Sequence, residues 1–163
     1  LIITISMPTI HLTTVIHAPV QRVFDLSRSI TLHKRSMSHR QEEAIKGCTN
    51  GLISYNETVT WRAKHLGKMR ELTTKVTAMR QPEFFSDEMT KGDFTHMSHE
   101  HHFKEIDNGT VMIDIMEFGA PYGWFGKIFE RIYLHQYMTR LLLERNNIIK
   151  DYAESEKWRV ILD

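Results

Sequence analysis

A single cysteine, Cys48, stands in 163 residues. With no second thiol there is no intramolecular disulfide and no cysteine-based metal motif, a usage that fits a reducing compartment, so the expected location is the cytoplasm. Long apolar runs are lacking as well: nothing approaches the ~18 residues that a membrane-spanning helix needs. Charge of one sign is not in excess, with 21 Lys plus Arg against 20 Asp plus Glu. That balance, with Lys34, Arg35 and Arg40 as the main basic group between the opening strand and the next, removes the motive for a nucleic-acid partner. There is no Gly-x-Ser-x-Gly elbow, and Gly123 to Gly126 is not a phosphate loop. No repeat, low-complexity stretch or linker interrupts the chain. One domain over residues 7–157 is therefore expected, with 1–6 and 158–163 as terminal extensions and Met7 as the expected natural start.

What is present is concentrated in one place. The stretch His96-Met97-Ser98-His99-Glu100-His101-His102-Phe103 holds four of the ten histidines. Read as a strand, it sends Met97, His99, His101 and Phe103 to one face and His96, Ser98, Glu100 and His102 to the other. The apolar ends of the first set mark it as the inward face. Two histidines are thus expected to point at the core, and the outward set reads as a solvated face.

The rest of the chain supplies the frame. Thr9 to Ile16 is β-branched and reads as a strand, His17-Ala18-Pro19 opens a short helix through Val20, Val23, Phe24 and Leu26, and a second short helix follows from about Ile30 to Met37. Both are too short to stand alone in water, so they must pack on a sheet. After a brief strand at Gln41 to Lys46, the residues Ile53, Tyr55, Glu57, Val59, Trp61, Ala63 and His65 alternate as an inward face. A turn at Leu66-Gly67-Lys68 leads to Leu72, Thr74, Val76 and Ala78 as the next inward set, then Phe85, Asp87 and Met89. Asp107-Asn108-Gly109 is a hairpin turn, and Met112, Asp114, Met116 and Phe118 share one face of the last strand. The long segment from about Trp124 to Glu156 is helical and charged throughout. Its apolar residues form two stripes on nearly opposite sides: Phe125, Ile128, Phe129 and Ile132, then Leu134, Met138, Leu141, Leu142, Ile148, Ile149 and Tyr152. Either the helix bends or breaks near Tyr133, or one stripe meets a second surface.

Ile16-His17-Ala18-Pro19-Val20-Gln21-Arg22-Val23-Phe24 resembles the opening strand-to-helix junction of the START-like, or helix-grip, SRPBCC superfamily. Glu57-Thr58-Val59-Thr60-Trp61-Arg62-Ala63, Asp87-Glu88, His99-Glu100-His101-His102-Phe103 and Gly109-Thr110 with Asp114 look like the strand signatures of a small bacterial ligand-binding branch. The resemblance covers nearly the whole chain and implies an α+β helix-grip fold, a seven-stranded curved antiparallel sheet wrapped around a long C-terminal helix, with two short helices between strands 1 and 2. In that fold the inward face becomes a cavity wall. The lining expected from it is Tyr55, Glu57, Val59, Trp61, Phe85, Asp87, Met97, His99, His101, Phe103, Met112, Asp114 and Phe118 from the sheet, with Phe125, Ile128, Phe129 and Ile132 from the helix.

Across the hairpin, His101 falls opposite Asp114 and His99 opposite Met116, with opposed side chains ~5 Å apart. A His101 to Asp114 hydrogen bond and an approach of Asp87 to His99 are expected, because inward charge must pair or neutralise. The expected function is binding or carriage of an apolar or aromatic small molecule, lipid- or polyketide-like, in the internal cavity. The alternatives are a cyclase- or dehydratase-like acid/base enzyme, with His101, Asp114 and Glu57 as catalytic candidates, and a regulatory or interaction protein that pairs with a second copy through the C-terminal helix. Carriage is preferred to catalysis. No cofactor and no metal is expected: His-x-His with an acid can bind zinc, but Asp114 is the more economical partner.

Overall fold

The computed structural model describes residues 8–120, 128 and 130–163. The chain runs β1 (Thr9–Ile16), α1 (Val20–Ser27), α2 (Ile30–Ser36), β2 (Glu43–Gly47), β3 (Thr58–His65), β4 (Lys68–Arg80), β5 (Phe84–Lys91), β6 (His96–Ile106) and β7 (Gly109–Gly119). A π-helical turn at Glu130–Leu134 then leads into α3 (His135–Glu154), and α4 (Arg159–Leu162) closes the described chain. The seven strands make one curled antiparallel sheet in the order β1-β7-β6-β5-β4-β3-β2. This is the expected α+β architecture. No described helix is long and apolar enough to cross a membrane.

The two short helices hold because one face of each is buried. Val23, Phe24, Leu26 and Ser27 of α1 are all buried, and Phe24 meets Phe85 and Phe103 of the sheet edge to face at 5.7 and 5.3 Å. The hydroxyl of Ser29 accepts from the Leu32 amide at 3.1 Å and caps α2. With Ile16, Met112, Ile149 and Ala153 these aromatic rings form the core beneath α1. Trp158, Ile161 and Leu162 pack against the same cluster, so the C-terminal stretch set aside as an extension contributes to that core.

The structure corrects the strand reading in two places. The alternation that suggested a strand from Ile53 becomes a ladder with β4 only at Thr58. Asn56 is left-handed at φ 69, and the Glu57 carboxylate accepts from the Ser54 amide at 2.7 Å, so 54–57 is a turn stabilised by its own side chains. Gly47 lies opposite Val59 with φ +77, and a Cβ there would clash with the Thr58 carbonyl oxygen. In β4 the register slips between Val76 and Ala78. That bulge transfers the inward position from Ala78 to Met79, which packs on the core.

The two helical stripes have a local explanation. The π-helical turn at Glu130–Leu134 breaks the 3.6-residue period near Tyr133. From its last residue on, Leu134, Leu141, Leu142, Ile149 and Ala153 are buried against the chain's own sheet and α1. Ile128 and Ile132 are instead exposed, at 48% and 65%. The motive for pairing with a second copy through the stripe beginning at Leu134 therefore disappears. Phe125 and Phe129 lie outside the described residues.

Candidate functional site

Three neighbouring strands deliver the polar residues of the inner wall. The ladders place His99 opposite Asp87 and Met116, and His101 opposite Phe85 and Asp114, as the alternation predicts. The hydrogen bonds run along the diagonals. His99 Nε2 donates to Asp114 Oδ1 at 2.8 Å, and His101 Nε2 to Asp87 Oδ1 at 3.0 Å. His101 Nδ1 also lies 3.2 Å from Asp114 Oδ1. The expected His101 to Asp114 contact thus exists, but Asp87 serves His101 rather than His99. Packing accounts for the diagonals: the two imidazoles lie 3.8 Å apart, and His101 is stacked on Phe85 at 4.0 Å, so the rings lean along the strand instead of standing across it.

The helix completes the cluster with two residues that sequence reasoning missed. Arg145 and Asn146 of α3 are 6% and 1% exposed. Arg145 reaches Asp114 Oδ1 at 3.4 Å, Asn146 Oδ1 at 3.1 Å and the Ser27 carbonyl at 3.0 Å. Asn146 Nδ2 donates to Asp114 Oδ2 at 2.7 Å and to Thr14 Oγ1 at 3.3 Å. A signal for both existed: each sits one turn after Leu141 and Leu142 and one turn before Ile149, on the buried stripe. Their polarity alone suggested the solvent face.

The electrostatics follow from burial and these partners. Burial pushes the Asp114 carboxyl up, but hydrogen bonds from His101 and His99 and the Arg145 charge outweigh it and hold the group well below the usual carboxylate range. Asp87 is lowered against its burial by the His101 hydrogen bond and charge. His99 is pushed down to about 4, first by burial and then by neighbouring His101. Near neutrality His99 is therefore an uncharged imidazole. Because an ionised Asp114 can only accept, His99 carries its proton on Nε2 and presents a bare Nδ1.

Between this wall and α3 lies a cavity of about 360 Å³. Val59, Trp61, Leu72 and Val76 line it from one end of the sheet, Met97 and Phe85 from the centre, and Met138, Leu141 and Leu142 from the helix. Asp87 of β5, His99 and His101 of β6 and Arg145 of the facing helix are the polar group. A second polar group on the lining joins His65 Nδ1 to the Tyr137 hydroxyl at 2.7 Å, which Arg40 also contacts at 3.1 Å. No partner of His99 Nδ1 or Asp87 Oδ2 occurs among the described residues. The cavity wall therefore offers two hydrogen-bond acceptors held in place from behind.

No protein-family model matches the chain, and no curated protein does so either. Solved structures do match. The Zhui aromatase/cyclase from Streptomyces sp. R1128 superposes with a TM-score of 0.73 at 15% identity, covering 91% of this chain and 94% of that one. Ara h 8.0201 does so at 0.68 and 14%, covering 91% and 98%. The major latex-like protein 151 of Panax ginseng gives 0.68 and 11%, covering 91% and 99%. The chain shares the helix-grip fold of these structures. At these identities the likeness concerns the backbone alone, so the side chains must carry any statement about chemistry.

In this helix-grip chain the residues of the expected lining take different places. Val59, Trp61, Phe85, Asp87, Met97, His99 and His101 line the cavity. Phe103, Met112 and Phe118 face inward but lie under other elements: the first two pack beneath Phe24 of α1, and Phe118 meets Phe94 at 5.8 Å. Asp114 is fully buried behind the imidazoles and is not itself part of the lining. Tyr55 is 62% exposed and Glu57 belongs to the turn before β3, so neither takes part. An inward residue of a curled sheet is cavity wall only where no other element lies over it, and α1 covers the β6 and β7 ends. On the outer face Glu100 and His102 pair at 2.8 Å. His96 departs from a solvated reading, since its Nε2 is buried with no partner among the described residues.

Proposed function

We propose that the protein binds or carries an apolar or aromatic small molecule in this cavity, as a cytoplasmic carrier rather than a catalyst. One observation carries the reading: an apolar-walled cavity of about 360 Å³ into which Asp87 and His99 turn their free acceptor atoms while Asp114, Arg145 and Asn146 hold the wall from behind. Small-molecule sites of this kind are mostly apolar, with a few placed polar groups, and begin near ~300 Å³. Because the placed groups accept, the ligand class is one that donates, an aromatic hydroxyl or N–H compound. A donor matched to a buried acceptor is favoured over the analogue that lacks it, since the unmatched acceptor stays unsatisfied.

The enzymatic alternative needs an acid or base free to act on a substrate. The three groups named for it are engaged. His101 has both ring nitrogens near carboxylates, Asp114 accepts from His99, Arg145 and Asn146, and Glu57 closes a turn away from the cavity. Titrating the protein with 2-naphthol and with naphthalene, followed by Trp61 fluorescence, tests the carrier reading. Saturable binding is expected for both, with naphthol tighter by ~10-fold or more. Absence of saturable binding for both, together with no compound recovered by organic extraction of the purified protein, would sink it.

A further inference from the structure

We propose that Asp87, His99 and His101 form a site for a divalent transition-metal ion of the zinc type on the cavity wall. One donor atom from each lies within 4.8 Å of the other two. Each imidazole turns one ring nitrogen to Asp114 and the other away from it. His99 uses Nε2 on Asp114 and leaves Nδ1, while His101 turns Nδ1 to the same Asp114 oxygen and leaves Nε2, which now faces Asp87. Asp114 thus stands behind both imidazoles as a shared carboxylate partner, the arrangement that orients metal-binding histidines and raises their basicity. It is itself fastened by Asn146 and Arg145.

A cation would rest between His101 Nε2 and Asp87 Oδ1. Arg145 does not block that position, since its contacts lie on the Asp114 side, to Asp114, Asn146, Ser27 and His101 Nδ1. Donor atoms around a tetrahedral zinc at ~2.0–2.2 Å stand about 3.3 Å apart, so at most ~1.5 Å of inward movement is required. Asp87, whose side chain is 20% exposed at the cavity, is free to supply it. Metal binding at Nε2 would leave the His101 proton on Nδ1, towards Asp114 Oδ1, with any proton on Nε2 passing to solvent, and would leave a fourth coordination position open to the cavity.

This inference does not depend on an organic ligand, so it is tested with metal alone. Tag-free protein is stripped with chelator, dialysed and titrated with Zn²⁺ by calorimetry and with Co²⁺ by visible absorption, beside Asp87→Asn, His99→Gln and the outer-face His102→Ala. The expected result is one ion per chain, ligand-field bands of a tetrahedral Co²⁺ site, and weakening by more than ~100-fold in Asp87→Asn and His99→Gln but not in His102→Ala. Thermal melts of each variant without metal confirm that the comparison is between folded proteins. No stoichiometric binding, or binding that Asp87→Asn and His99→Gln leave unchanged, overturns the site and leaves the naphthol result untouched.

Discussion

Each face of β6 carries two histidines, at least one of them bound to a carboxylate, and the two settings obey opposite physics. On the outer face His102 and Glu100 pair at 2.8 Å with side chains 40% and 47% exposed. On the inner face His99 meets Asp114 at the same 2.8 Å, with side chains 7% and 0% exposed. Equal distances therefore say little about strength. In water the outer pair exchanges protein for solvent partners at almost no gain. Inside, each partner has given up its hydration, and removing one leaves the other buried and unmatched.

The sharpest way to break the contrast is Asp114→Ala. It strands Arg145 and two imidazoles, and is expected to cost about 3–5 kcal/mol in urea unfolding, with loss of the folded state as the extreme outcome. A smaller loss, about 1–3 kcal/mol, is expected for Asn146→Ala, which removes one buried donor from Asp114 and one from Thr14.

Acid separates the faces without mutation. His99 titrates near 6.5 when unfolded and about 4 when folded, in surroundings made by Asp87, His101, Asp114 and Arg145. The unfolded chain thus binds this proton first, and stability falls as pH drops from about 6.5 towards 4. The loss approaches about 3 kcal/mol at the lower limit. His65, lowered by its own burial, acts in the same direction. Asp87 and Asp114, with lowered values, contribute stability that is lost only below the ordinary carboxylate range. Urea midpoints at pH 7 and pH 4.5 measure the effect, and His99→Gln should flatten it. The smallest effect belongs to the outer face: His102→Ala should stay within about 0.5 kcal/mol of the parent at pH 7. A loss there equal to that of Asp114→Ala would erase the comparison.

Much of the fold was readable because local patterns and tertiary demands agree. The β6 and β7 hairpin shows this: its turn, its register and the inward set His99, His101 and Asp114 follow from a two-residue period and one Asn-Gly pair. Where they disagreed, a single residue changed the outcome. Asn56 ended an alternation that ran on through Tyr55 and Glu57, and the bulge after Val76 exchanged Ala78 for Met79. The site was half legible. Its strand residues announced themselves as polar interruptions of apolar rows, while Arg145 and Asn146 stayed hidden because helical polarity normally marks solvent.

The sequence by itself determined the strand faces, the order of the elements and the choice of His99 and His101 over His96 and His102 as the inward pair, because side-chain direction in a strand is a local property. The tertiary structure alone decided which inward residues line a cavity and which fill the core. It also decided that the carboxylates pair along diagonals and that Arg145 and Asn146 close the cluster. Those outcomes depend on what lies over each residue, on how rings stack, and on which turn of a distant helix is pressed against the sheet, and none of these is a property of neighbours in the chain.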